Sequence, residues 1–316
     1  MASEDSRRGV TERESAANVN CPLCGESKCR SVGPIRFIEP TTIGSSVVDL
    51  SDMKFHLMHC GACDFHFTHP RIPPEKLLAG YAETNASHWG NEEDGYTRRY
   101  DTLKQMLERH APGRRVLDVG CFTGSFLHYL GPGWDLNGVE PAVEAAKIAG
   151  EKGAKILGST LEDIPADAAP FDAIVAIDVA EHINDPLGFF EQMRNRLGPR
   201  GILIIVTGDT HAPSWRWMKN RYWYCSFAGH VSFFSERVMK FLGRRLGMDI
   251  AEYRRLEHIR SRPLRHIKML IYNVAYNIGV MAGGLGIPSL RKITSDAPGP
   301  SWITARDHMF CVMRRI

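Results

Sequence analysis

From Arg115 to Tyr253 short apolar runs alternate with amphipathic stretches. Val116–Val119, Leu136–Val139, Ala154–Leu157, Ala173–Ile177 and Ile202–Val206 read as strands, continuous in apolar residues as strands buried on both faces are. Between them Ser125–Tyr129, Ala142–Gly150, Leu187–Leu197 and Ser235–Leu246 read as helices, and Asp249–Tyr253 begins a late strand. That alternation predicts an α/β fold with a parallel sheet covered on both faces. His308–Met313 reads as a final strand that would enter the sheet antiparallel from the C-terminal side.

The flanks follow other rules. Met1 to about Asn20 is polar and charged and reads as a disordered tail. From Cys21 to about His69 two C-x-x-C pairs surround short β-like runs such as Phe55–Met58, and Pro70, Pro73 and Pro74 then break regular structure. Helical stretches follow near Glu75–Tyr81 and Tyr96–His110. The expected divisions are a tail (1–20), a cysteine module (21–70), a helical linker (71–112), the main domain (113–256), an insertion (257–303) and the closing strand (304–316).

Composition changes this picture little. The 316 residues are 43% hydrophobic and 24% charged, with 39 basic against 36 acidic side chains, net +3. That balance gives no global reason to expect a nucleic-acid partner. No apolar run follows the first charges, so no secretory signal is visible and a cytoplasmic setting is expected, in which cysteines act as thiols or metal ligands.

The candidate chemistry begins where the first strand of the main domain ends. Glycines in such a loop let the backbone turn sharply and approach a ligand. Gly120 and Gly124 stand there, after Asp118, and the next strand ends at the acid Glu140, placed to accept both hydroxyls of a ribose. The stretch Asp118-Val119-Gly120-Cys121-Phe122-Thr123-Gly124 resembles the first motif of class I S-adenosylmethionine-dependent methyltransferases, D-x-G-x-G-x-G, departing from it at Phe122. The resemblance continues in Gly158–Pro165, Phe171–Ile183 and Leu197–Leu203. It implies a Rossmann-like, seven-stranded sheet with helices on both faces. It also implies a cofactor site of Asp118, Gly120, Cys121, Phe122, Thr123, Gly124, Glu140, Pro141, Thr160, Leu161 and Asp178.

Cys21-Pro22-Leu23-Cys24 and Cys60-Gly61-Ala62-Cys63 lie about 35 residues apart. Two such knuckles complete a tetrahedral S4 site with no open position, so the expected metal is a structural Zn2+, against unmetallated thiols as the alternative. The arrangement resembles the N-terminal zinc module of sugar methyltransferases. Zinc-finger ribosomal-RNA guanine methyltransferases also open with C-P-x-C, but their second pair follows sooner, which leaves RNA as the runner-up substrate.

Acceptor residues are expected on the loops after the fourth and fifth strands. Asp178, Glu181 and His182 fall at i, i+3 and i+4 and would share one face of a helical turn. They resemble E-x-x-E-H of the ubiquinone-biosynthesis O-methyltransferases, which suggests a divalent metal such as Mg2+; the other reading is that Glu181 and His182 only pin the turn. Trp215–Phe234 is dense in aromatics, which stack on sugar rings or close a lid over the core. Gly229–Ser235 resembles E-H-x-S-Y-F-S of the sugar C-methyltransferases, in which a tyrosine three residues before the histidine helps deprotonate carbon. That position is Phe227 here, so the resemblance shifts toward O-methylation with His230 as general base and Tyr222 or Tyr224 as substitute hydroxyls. The expected acceptor is a small-molecule or lipid-linked sugar; C-methylation, RNA methylation and a silent scaffold are the alternatives.

Residues 254–286 place Arg254, Arg255, Arg260, Arg262, Arg265 and Lys268 before an apolar run. The run is marginal as a membrane span, and reads either as a helix in peripheral contact with a membrane or as a cap on the domain.

Overall fold

The computed structural model describes residues 19–87, 97–257, 263–284 and 298–316. The tail expected over 1–20 lies outside them except for its last two residues. The N-terminal part runs β1 (Cys29–Pro34), β2 (Thr42–Ile43), β3 (Ser46–Val47), β4 (His56–Cys60), β5 (His66–His69), α1 (Pro74–Ala82) and α2 (Thr97–His110). The main domain continues with β6 (Arg115–Val119), α3 (Ser125–Leu130), β7 (Asp135–Val139), α4 (Val143–Glu151), β8 (Lys155–Ile156), β9 (Phe171–Ile177), α5 (Pro186–Asn195) and β10 (Leu197–Gly208). After it come α6 (Pro213–Met218), β11 (Ser232–Phe233), α7 (Glu236–Leu246), β12 (Met248–Leu256), α8 (Pro263–Gly284) and β13 (His308–Arg315).

Seven strands form one sheet in the order β12-β13-β10-β9-β6-β7-β8. β6, β7, β8, β9 and β10 pair in parallel, and β13 slots antiparallel between β10 and β12. The expected strands and the antiparallel closure are all present. Side chains alternate between faces, as strand geometry demands. On β10, Ile202, Ile204 and Val206 join Leu103, Met106 and Leu107 of α2 and Phe126 and Leu127 of α3. Leu203 and Ile205 face the other way, onto Phe190 and Met193 of α5 and Val238, Met239 and Leu242 of α7. Removing all of these from water is the main stabilisation of the domain.

A second sheet runs β1-β4-β5-β11, so a strand from beyond β10 completes the sheet of the cysteine module. Ser232 pairs with Phe67 and Phe233 with His66. Phe65 and Phe67 share a core cluster with Leu117 and Val119 of β6. Asp64 accepts a hydrogen bond from Ser235 Oγ at the start of α7 (2.8 Å) and lies 2.8 Å from His211 Nε2. Module and main domain are therefore packed and hydrogen-bonded together.

The aromatic run 215–234 settles as core, not as an exposed platform. Trp215, Tyr222, Trp223, Tyr224, Phe233 and Phe234 are buried, while Trp217 and Phe227 keep 43% and 37% exposure. The apolar bulk of these rings is worth more in the interior than at a polar surface.

Candidate active site and metal centre

β6 lies where strand order reverses, with β7 on one side and β9 on the other, so loops leaving β6 and β9 diverge and open a crevice at the carboxyl edge. In the β6 loop Gly120, Phe122 and Gly124 have φ of 70°, 46° and 69°. A Cβ on Gly124 would fall 2.8 Å from Ala149 Cβ and 2.9 Å from its Cα on α4. One on Gly120 would lie 2.7 Å from Val179 Cγ2. Phe122 departs from the glycine pattern yet keeps the left-handed conformation, at a cost of about 1–2 kcal/mol. Its N–H donates to Glu140 Oε2 at 2.8 Å, and Glu140 Oε1 accepts the Ala142 N–H at 2.9 Å. The acid at the end of β7 thus ties the loop to the start of α4, on either side of Pro141. Burial raises the Glu140 carboxyl above its ordinary range, against those two N–H groups, which lower it.

Other residues of the expected cofactor set divide by role. Asp118 is buried at the end of β6. Cys121 packs its sulfur toward Gly138, where a Cβ would come within 2.6 Å, and lies 3.9 Å from the Phe122 carbonyl oxygen. Thr123 Oγ1 and Ser125 Oγ are hydrogen-bonded at 3.1 Å. The Ser159 and Thr160 N–H groups both donate to Asp163 Oδ2 at 2.8 Å, and Leu161 is buried in the core.

Asp178, Glu181 and His182 do not share a helical face. Asp178 has φ 53°, and the following short 3₁₀ turn covers only Ala180–His182. Asp178 Oδ2 accepts from Arg99 Nη2 of α2 at 2.8 Å, and its Oδ1 lies 3.9 Å from His308 Nε2 at the start of β13. Burial alone would lower the His308 imidazole, but Asp307 and Asp178 outweigh it and hold its pKa above the usual value. Arg99 and His308 were missed in the sequence because residues 79 and 130 positions from Asp178 meet it only through the tertiary fold.

Glu181 is buried, accepting the Thr207 hydroxyl at 2.7 Å and the Tyr224 hydroxyl on its other oxygen. Burial pushes its carboxyl pKa up. His182 Nδ1 lies 2.9 Å from the Gly229 carbonyl oxygen and 2.7 Å from the Tyr81 hydroxyl of α1. His230 Nδ1 lies 2.8 Å from the Tyr224 carbonyl oxygen. A carbonyl only accepts, so in His230 Nδ1 carries the hydrogen and, in the neutral ring, Nε2 the lone pair. The rings stand 4.9 Å apart, and Phe227 is 5.1 Å from His230. Burial drives the His230 pKa well below its ordinary value, which keeps the imidazole neutral. Tyr222 is fully buried, with its hydroxyl donating to Asp307 and 3.1 Å from Ser214 Oγ, so of the two substitute tyrosines only Tyr224 borders His230.

Among the described residues, Glu181, His182 and His230 bring their ligand atoms within 4.8 Å of one another, with His230 in the place that helical spacing gave to Asp178. Two imidazoles and one carboxylate are poor company for Mg2+, which prefers oxygen ligands. Both Glu181 oxygens are also taken by hydroxyls, which fits the reading of Glu181 and His182 as pins of the turn.

At the other end of the module, Cys21, Cys24, Cys60 and Cys63 offer four sulfurs within 4.8 Å of one another. Cys21–Cys63 and Cys24–Cys60 sulfur distances are both 3.6 Å. A tetrahedron of ligands about 2.3 Å from zinc has edges of roughly 3.8 Å, so the cage fits. The Cys63 thiol holds Cys21 down to about 5, while burial lifts Cys24 to about 11. As thiolates the four sulfurs would suit one tetrahedral metal ion with no open position. Cys29 is not one of the four, although its thiol neighbours Cys60 across the β1–β4 pair and lies 3.7 Å from the Glu26 carbonyl oxygen.

The strand order, the switch-point crevice and the glycine loop define a class I S-adenosylmethionine-dependent methyltransferase. Residues 92–253 match a family model described as a methyltransferase domain, and the chain belongs to that family. It is similar to the ubiquinone biosynthesis O-methyltransferase of Azorhizobium caulinodans, 33% identical over 141 residues, 42% of this chain and 55% of that protein. It is also similar to the cyclopropane-fatty-acyl-phospholipid synthase of Escherichia coli K12, 27% identical over 139 residues, 42% of this chain and 36% of that one. The chain thus spans about half or less of the length of these relatives. Among solved structures, an N-methyltransferase 2 of Haemonchus contortus, bound to phosphomonomethylethanolamine and S-adenosylhomocysteine, matches with TM-score 0.51. At 15% identity over 79% of this chain and 62% of that one, it shares the fold.

Proposed function

We propose that this methyltransferase moves the methyl group of S-adenosylmethionine to a hydroxyl of a small-molecule acceptor, a sugar being the first candidate. The observation that carries the reading is His230: neutral, with Nδ1 tied to the Tyr224 carbonyl and Nε2 left as the proton acceptor. The cofactor supplies an already activated methyl, so the protein has only to align the acceptor and remove its proton. His230 Nε2 takes the hydroxyl proton as the oxygen bonds the methyl carbon. His182, oriented by Tyr81 and Gly229, packs against that imidazole, and so does the Tyr224 ring, 4.2 Å away. No tyrosine stands at Phe227 to support deprotonation of carbon, which favours oxygen over carbon as the methylated atom.

In the same reading Glu140 accepts the two ribose hydroxyls, and the backbone of Gly120–Gly124, with Asp118, holds the methionine end. The start of the Thr160–Leu161 turn borders adenine. Glu140→Ala is expected to weaken S-adenosylmethionine binding by about tenfold to a hundredfold, since a hydrogen bond to a charged group contributes roughly 1.5–3 kcal/mol. Isothermal calorimetry checks it; unchanged affinity would remove Glu140 from the site. Zn2+ in the Cys21/Cys24/Cys60/Cys63 cage completes the proposal as a structural ion.

The acceptor is tested by incubating the chain and S-adenosylmethionine with sugar nucleotides, glycolipids and RNA in turn, then locating the new methyl by mass and NMR. A methyl on a sugar oxygen supports the reading. A methyl on carbon or on RNA overturns it.

A further inference from the structure

The helix α8 is built inside out. On its body-facing side Asn273 and Asn277 are buried, each returning its side-chain N–H to the carbonyl four residues back (2.9 Å in both cases). Asn277 Nδ2 also meets Met218 Sδ of α6, and Met269 Sδ lies 3.7 Å from Thr304 Oγ1. On the outer side Leu264, Ile267, Leu270, Ile271, Ile278 and Met281 are 79%, 56%, 48%, 58%, 61% and 72% exposed. Positions 264, 267, 271, 278 and 281 are separated by threes, fours and sevens, so they form one stripe along a helix roughly 33 Å long. A helix of a water-soluble domain puts its apolar stripe inward and its amides outward. Here the polarity is reversed.

The charges are as one-sided as the apolar groups. The helix contains Arg265, His266 and Lys268 and no acidic residue. Arg265 and Lys268 are exposed, and Lys268 Nζ sits 5.6 Å over the ring of Tyr272, itself 55% exposed. Close by, α6 presents the half-exposed Trp217, paired edge-on with Trp302 at 5.9 Å. An apolar stripe flanked on the same helix by exposed cations and an exposed tyrosine is the composition of a helix lying in the headgroup region of a bilayer. No described helix is long and apolar enough to cross a membrane, so α8 would rest on the surface. A second copy of the chain answers the charges poorly. In a two-fold dimer the same surface meets itself, and the helix has no acid to face Arg265 and Lys268.

We infer that α8 docks this protein on the surface of an anionic lipid bilayer through the Leu264–Met281 stripe, with Arg265 and Lys268 on the headgroups. The inference stands apart from the identity of the acceptor. It has a geometric consequence for any acceptor, because α8 packs on Met218, in the same excursion after β10 that delivers Tyr224 and His230. Docking would hold the acceptor side of the site near the bilayer.

Flotation of the full chain with vesicles of phosphatidylcholine, with and without about one third phosphatidylglycerol, tests this. Binding to the anionic vesicles, weakened by salt, is the expected result. Ile271→Glu and Lys268→Glu should each reduce it about tenfold or more, while circular dichroism and S-adenosylmethionine affinity stay unchanged. Three results would overturn the inference: no binding to anionic vesicles, equal binding by Ile271→Glu, or a solution dimer that Ile271→Glu disperses without any vesicle binding. None of these depends on an acceptor being found, so failure here and failure of the methylation reading are separable.

Discussion

His230→Ala is expected to lower kcat by about 10²–10⁴-fold while leaving S-adenosylmethionine affinity near that of the wild type. The size follows from losing a positioned general base, and the selectivity from His230 lying beside Glu181 and His182 and not in the β6 loop. The pH profile separates this role from a structural one. A base works in its neutral form, and burial keeps the His230 pKa well below its ordinary 6.5. Wild-type kcat/KM should therefore hold level through pH 7 and fall only as acid protonates the ring, below pH 6.5. In His230→Ala that acid limb should disappear along with most of the rate. A variant that keeps full kcat would end the proposed role of His230.

The second large effect is expected at the cysteine cage. Cys60→Ser, or stripping with a strong chelator, should unfold the N-terminal sheet, since a structural zinc site contributes on the order of 10 kcal/mol to the fold it closes. Activity should fall with it, although no cysteine of the cage belongs to the proposed methyl-transfer site. The path is structural: β11 pairs with β5, and Thr68 Oγ1 donates to the His230 carbonyl oxygen at 3.1 Å. Arg71 also donates to the Val231 carbonyl at 2.7 Å and the Asn184 carbonyl at 2.7 Å, binding the loops that carry His230 and His182 to the module. Metal analysis should find one zinc per chain, with a lower melting temperature after removal. Cys29→Ser, outside the cage, should change neither. A metal-free chain with the same melting temperature would refute the structural role.

Much of this was legible in the amino-acid order. The buried strands announced themselves because a strand covered on both faces must be apolar throughout, as Ile202–Val206 is. The spacing Gly120, Gly124 and Glu140 was legible because a tight turn under a close ligand tolerates few residue types. Phe122 looked like a defect in that motif. The structure shows it holding the same left-handed backbone, with its N–H donating to Glu140.

Other features had no local signal. That Trp215–Phe234 is mostly interior depends on what packs over it, and a ring reads alike in a core and on a sugar platform. Asp178 was grouped with Glu181 and His182 by helical spacing, but its positive φ breaks the helix that the spacing assumed. Tyr81, Arg99 and His308 reach the site from α1, α2 and β13, and nothing in their own neighbourhoods marks them.

The sequence by itself determined the α/β sheet, its glycine loop and the four cysteines, because periodicity, glycine placement and C-x-x-C spacing are short-range patterns. Only the tertiary structure decided that His230 replaces Asp178 beside Glu181 and His182, that β11 welds the cysteine module to the loop carrying His230, and that α8 turns its apolar stripe outward. Each of these rests on contacts between residues far apart in the chain, whose partners are chosen by how the packed elements bury surface together.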